Sequence, residues 1–121
     1  MNLELEQDFV NRLISDKVLP ELREKGFRRL YVVFKSGRII VRGIWQVVPF
    51  SIPFKLVSFS GRRIHFSVDG PLGIITALIS IRESMFSLKG GVITLDLSEL
   101  DIPGRIRDIR IGGGRLRVLL K

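Results

Sequence analysis

Residues 30–48 read LYVVFKSGRIIVRGIWQVV, and this stretch decides the fold class. Leu30, Val32 and Phe34 alternate with Tyr31, Val33 and Lys35, which is the two-residue period of a half-buried strand. Ser36-Gly37 supplies a turn pair. Beyond it, Ile39, Val41, Trp45 and Val47 fall on one face, and Arg38, Arg42 and Gln46 on the other. Two alternating runs joined by a short Gly-containing link predict an antiparallel hairpin.

The pattern continues downstream. Pro49 and Pro53 bracket a junction, a corner or a sheet edge, because proline donates no ladder hydrogen bond. Phe54 to Phe59 reads as a third strand and Ser60-Gly61 as a second turn. Ile64, Phe66 and Val68 then alternate with Arg63, His65, Ser67 and Asp69, which extends the hairpin into a meander.

Upstream, Leu5, Phe9 and Leu13, with Val10, Ile14 and Val18, recur at helical spacing behind acidic residues that suit a helix N-terminus. Pro20 is expected to end or kink this helix, and Gly26 to stop it. After Gly70-Pro71, residues Leu72 to Phe86 read as an apolar helix on length, with Pro71 at its first turn. The β-branched content of Leu72–Ile81 keeps a strand open as the alternative. Gly90-Gly91 opens a second strand group, in which Ile93, Leu95 and Leu97 alternate with Val92, Thr94 and Asp96. Ser98-Glu99-Leu100-Asp101 has capping-box spacing ahead of Pro103-Gly104. A closing hairpin runs from Arg105 to Ile111, through Gly112-Gly113-Gly114, and back from Arg115 to Leu120.

A chain of 121 residues with 45% hydrophobic content is expected to form a single domain over 1–121 with a real core. The predicted architecture is α+β. It is a long twisted antiparallel sheet with an N-terminal amphipathic helix and an apolar helix packed on one face.

Charge is the second signal. Lys25, Arg28, Arg29, Lys35, Arg38, Arg42, Lys55, Arg62 and Arg63 lie between Lys25 and Val68 without one acidic residue among them. Six of the twelve acidic residues precede Lys25. The net charge is +8, and Arg dominates the cations. Its planar fork pairs bidentately with phosphate or carboxylate. A sheet built from this stretch should carry a positive field on one surface, which implies an anionic partner.

Several function classes lose support. There is no cysteine, so disulfides and thiolate metal sites are excluded. His65 is the only histidine, which leaves zinc chemistry of the usual kind without a ligand set. No cofactor and no metal are expected. His65, Ser67 and Asp69 share a strand face, but neighbours there stand about 6.5–7 Å apart, beyond a nucleophile's reach of its base. Gly112-Gly113-Gly114 lacks the Lys-Ser/Thr of a phosphate loop. Asp96, Glu99 and Asp101 read as solvated or capping residues near a strand end. No enzyme is expected. The acidic start without an apolar core region reads as a cytoplasmic chain or one trimmed of its leader, and peripheral membrane contact stays open.

One family resemblance adds to this. The N-terminal helix before a meander, the strand Ile93-Thr94-Leu95-Asp96-Leu97 leading to Pro103-Gly104, and the closing hairpin from Arg107 to Val118 resemble the LmeA-like family of bacterial phospholipid-binding proteins. That family is similar to half of a tubular lipid-binding (TULIP-type) module. The resemblance implies lipid binding and assigns no individual residue.

The expected function is therefore non-catalytic binding of an anionic lipid or anionic membrane surface. Phe54, Phe66, Ile75, Leu78 and Ile79 would line an apolar groove, and Arg38, Arg42, Arg62 and Arg63 would hold headgroups at its rim. The alternative is a nucleic-acid-binding domain that uses the same basic sheet face, with Tyr31 or Trp45 stacking on bases. An acidic protein or a second copy of this chain are the remaining partners.

Overall fold

In the computed structural model, which describes residues 2–80, 84–98, 100 and 104–121, the acid-free stretch forms four consecutive strands of a six-stranded antiparallel sheet. Its strands are β2 (Phe27–Lys35), β3 (Arg38–Trp45), β4 (Val48–Ser60), β5 (Arg63–Val68), β6 (Phe86–Lys89) and β7 (Val92–Asp96), in the order β2-β3-β4-β5-β7-β6. A second sheet of order β1-β9-β8 is built from β1 (Asn2–Glu6), β8 (Ile106–Gly112) and β9 (Arg115–Leu120). The architecture is α+β.

Tight turns set the meander. Ser36 and Gly37 both have positive φ (50° and 76°), as do Gly90-Gly91 and Gly113-Gly114. This is the two-residue turn whose twist matches antiparallel strands. At the β3–β4 hairpin the turn is Gln46-Val47, so Val47 leaves the core face assigned to it from periodicity. The third strand begins at Val48, well before Phe54. β5 reaches β4 only from Phe54 onward, so residues 48–53 have β3 as their one ladder partner. Pro49 and Pro53 sit in that singly paired segment, where a missing N–H disturbs least.

The inner face of the large sheet carries Phe27, Leu30, Val32, Phe34, Ile52, Phe54, Ile64, Phe66 and Ile93. One half is covered by the second sheet, through Ile106, Ile109, Ile111, Val118 and Leu120. The other half is covered by helix: Leu19 and Leu22 from the N-terminal run, and Ile74 and Ile75 from α3 (Leu72–Ile79). Ile14, Val41 and Phe54 touch both halves. The apolar helix thus packs on the sheet, but it stops at Ile79. Phe86, expected to end it, lies in β6. Ile81 and Arg82, part of that expected helix, lie outside the described residues, as do Glu99, Asp101 and Pro103. Gly90-Gly91 is a turn within the large sheet and does not open a separate group.

The N-terminus departs from the sequence reading at two points. Leu3 and Leu5 alternate with Glu4 and Glu6 in β1, paired with β9, so Leu5 belongs to a strand. The helical run then spans α1 (Gln7–Leu13), a π turn (Ile14–Val18), α2 (Leu19–Leu22) and a 3-10 turn (Arg23–Lys25). Pro20 does not end it. The π turn, closed by the Leu19 N–H on the Ile14 carbonyl, widens the helix just before the ring that would otherwise crowd the carbonyl four residues back. Gly26, at φ 97°, stops the run in the left-handed conformation.

Helix and edge strand are stitched by side-chain amides. Asn11 accepts from the Val32 N–H at 2.7 Å and donates to the Val32 carbonyl at 3.0 Å, and the Gln7 carbonyl accepts from the Phe34 N–H at 2.9 Å. The free edge of β2 is thereby occupied.

Candidate functional site

Register, not sequence proximity, assembles the outer face of the large sheet. Lys35 opposes Arg38, and Arg38 opposes Lys55, which opposes Ser67. Two rows further along, Tyr31 opposes Arg42, which opposes Ser51 and donates to its hydroxyl at 3.3 Å. The bulge at Phe27/Arg29 brings Arg29 opposite Ile44, with its guanidinium 5.2 Å over the Tyr31 ring. Between these rows lie Val33, Ile40 and Pro53, half-buried by their neighbours alone. Neither core cluster includes them, and no described element packs on this face.

Arg29, Lys35, Arg38, Arg42 and Lys55 thus share one open surface. Among the described residues no carboxylate makes an ion pair with any of them. Asp69 lines the same shallow depression of about 270 Å³ as Arg38, Lys55 and Ser67, but forms no salt bridge there. Adjacent cations on neighbouring strands repel, and each such pair weakens the sheet.

The outer face of the second sheet differs. Glu4 meets both Arg115 (3.4 Å) and Arg117 (3.5 Å), Glu6 meets Arg115 (3.9 Å), and Asp108 meets Arg110 (3.0 Å). The two N-terminal carboxylates therefore pair with Arg115 and Arg117 of β9, while Arg29, Lys35, Arg38, Arg42 and Lys55 on the large sheet's outer face have no such partner among the described residues.

The four arginines singled out from sequence divide into two groups. Arg38 and Arg42 stand together on β3. Arg63 points out of the same sheet but about 13 Å along β5 from the Ser67 row, by strand rise, and is paired with Asp96 at 3.5 Å. Arg62 lies in the β4–β5 turn and donates from Nε to the Gly104 carbonyl at 3.1 Å. Arg62 and Arg63 instead line a separate cleft with His65, Ser98 and Arg105. Asp96 is held below the usual carboxylate range by hydrogen bonds from Ser98, and also by Arg63. His65 shares a 2.9 Å hydrogen bond with the Thr94 hydroxyl.

The five apolar residues are core and divide between its halves, Phe66 on the second-sheet side and Ile75, Leu78 and Ile79 on the helix side, with Phe54 touching both. Phe66 and Ile75 are 5% and 2% exposed, and Phe54, Leu78 and Ile79 pack partly buried against the same clusters. The second sheet and α3 fill the volume assigned to a groove. Trp45 faces inward and donates its indole N–H to the Lys25 carbonyl at 2.9 Å, so it is not a surface stacking platform.

Arg29, Lys35 and Lys55 belong to the site as firmly as Arg38 and Arg42. The signal that finds them is parity. A two-residue turn at Ser36-Gly37 forces 35 opposite 38, and Arg29, Tyr31, Val33 and Lys35 then share one face.

Among the described residues no helix is long and apolar enough to cross a membrane, and no group of His, Asp and Glu side chains is placed to hold a metal ion. No protein-family model, no curated protein and no solved structure matches the chain.

Proposed function

We propose that this protein docks, without chemistry, onto an anionic phospholipid surface through the outer face of its six-stranded sheet. The observation that carries the reading is the contrast between the two outer faces. Arg110, Arg115 and Arg117 are matched by carboxylates on one, while Arg29, Lys35, Arg38, Arg42 and Lys55 are left unmatched on the other. Cations kept in register against their own repulsion are explained by an anion supplied from outside.

Each basic residue near a charged bilayer contributes about 1 kcal/mol, so five give reversible docking without a bound acyl chain. The filled interior favours headgroup contact at the surface over extraction of a lipid into a groove. The sequence pattern that resembles LmeA-like phospholipid-binding proteins is consistent with the same ligand class.

Nucleic acid is the second reading, since phosphate is common to both. It is favoured by the open sheet and by Tyr31, the one Phe, Tyr or Trp ring on that face among the described residues. It is disfavoured by the inward placement of Trp45 and by the apolar Val33, Ile40 and Pro53 between the cations. Flotation with phosphatidylcholine vesicles, with and without phosphatidylglycerol, tests the proposal. Binding that requires phosphatidylglycerol supports it. Equal behaviour with both vesicles, combined with tight RNA or DNA binding that falls steeply with salt, would replace it with the second reading.

A further inference from the structure

Val47, at 80%, is the most exposed large apolar side chain among the described residues, and Val48 beside it is 52% exposed. They form the tip of the β3–β4 hairpin, with exposed Pro49 next in the chain. Two-residue hairpin turns favour Gly, Asn or Asp. Here the positions hold Gln46, at a left-handed φ of 58°, and the β-branched Val47. Local turn chemistry accounts for neither choice.

The tip is held firmly. The Gln46 N–H donates to the Gly26 carbonyl at 2.7 Å, and the Trp45 indole donates to the Lys25 carbonyl, so the hairpin is tied to the end of the helical run. Against this junction lies an open cleft of about 470 Å³ lined by Arg23, Gly26, Phe27, Arg28 and Gln46. Neither guanidinium has a carboxylate partner among the described residues. Arg29 and Arg42 continue the positive surface from this end onto the sheet face.

An apolar tip beside a cleft lined by two guanidinium groups matches a bilayer boundary, where acyl chains lie beneath phosphates. We infer that the β3–β4 tip is the membrane-entry point of the protein: Val47 and Val48 enter the acyl boundary while Arg23 and Arg28 hold a lipid phosphate in the adjoining cleft. The inference rests on the anionic-bilayer reading of the sheet face and adds which end of the sheet goes in.

Trp45, the only tryptophan, is two residues from Val47 and serves as the built-in probe. The full chain is mixed with phosphatidylcholine/phosphatidylglycerol vesicles whose acyl chains are brominated near the headgroup. Binding is read by co-sedimentation and insertion by quenching of Trp45. The wild type should bind and be quenched. The Val47→Asn/Val48→Asn variant, altered only at exposed positions, should keep its thermal midpoint, bind about tenfold more weakly and lose the quenching. The Arg23→Gln/Arg28→Gln variant should also bind more weakly. Wild-type sedimentation without quenching, or a valine variant that binds like wild type, overturns the entry point and leaves face docking standing. No sedimentation with these vesicles overturns both.

Discussion

Lys35 and Arg38 face each other directly across the β2–β3 hairpin, and no carboxylate lies between them. Arg38 faces Lys55 on its other side, so it is flanked by like charge in both directions. Opposed like charges on an antiparallel pair cost about 0.2–1 kcal/mol. Arg38→Gln should therefore raise the unfolding free energy from urea titration in low salt by an amount in that range, and high salt should erase the gain. The same variant should bind anionic vesicles more weakly. Stability and binding moving in opposite directions is the signature of a charge kept for a partner. A loss of stability would contradict it.

Asn11 occupies both backbone groups of Val32 on the open side of β2. Asn11→Ala leaves a partly buried N–H and carbonyl unmatched, which should cost about 1–3 kcal/mol in denaturant unfolding. It also exposes a strand edge, so concentration-dependent association should rise in light scattering. A variant as stable and as monodisperse as wild type would mean that α1 guards the edge by packing alone.

Gly43 lies where β2 bulges toward β3, and a Cβ there would overlap the carbonyl oxygen of Arg29. The neighbour is backbone and cannot rotate away. Gly43→Ala should destabilise the protein by about 2–3 kcal/mol. Gly37→Asn, at a turn with open space and a left-handed φ that Asn tolerates, should be nearly neutral. Equal thermal midpoints for the two variants would rule out the close approach.

Asp96 is held below its ordinary pKa, first by Ser98 and then by Arg63. A folded-state pKa below the unfolded one gives stability that is complete above the unfolded value and is lost as pH falls through the folded value. The stability difference between wild type and Asp96→Asn should therefore be constant from neutral pH down to the ordinary Asp range. Below that range it should shrink. Unfolding curves over an acid pH series measure it, and a difference that does not change with acid contradicts the assignment. Ser98→Ala should move the Asp96 carboxyl titration, followed by NMR, upward toward the ordinary range.

Local period and turn chemistry made the central meander legible. The alternations at 30–35 and 63–69, and the Gly-containing turns, require nothing beyond neighbouring residues. What escaped depends on distant pairing. β1 has the alternation of a strand, but Leu5, Phe9 and Leu13 also fit a helix, and only the pairing of Asn2 with Leu119 at the other end of the chain decides it. Phe86, the first residue of the short β6, reads from sequence as the end of the preceding apolar helix for the same reason, since its partner β7 supplies the ladder. The candidate site was half legible. The acid-free stretch showed that the cations share a region, but the register of β2, β3 and β4 selects five of them and sends Arg62 and Arg63 elsewhere. The expected groove residues became core because β8, β9 and α3 cover the inner face, a tertiary outcome that no local pattern in Phe54 or Phe66 encodes.

Net charge and the charged face are separated by one comparison. Arg38→Glu/Lys55→Glu and Arg107→Glu/Lys121→Glu lower the net charge equally, but Arg107 and Lys121 are exposed positions on the second sheet or just past it. Co-sedimentation with phosphatidylcholine/phosphatidylglycerol vesicles across a salt series should show the first variant weakened about a hundredfold or more and the second changed only a few-fold. Equal losses in both, or binding retained by the first, would contradict docking through the outer face of the six-stranded sheet.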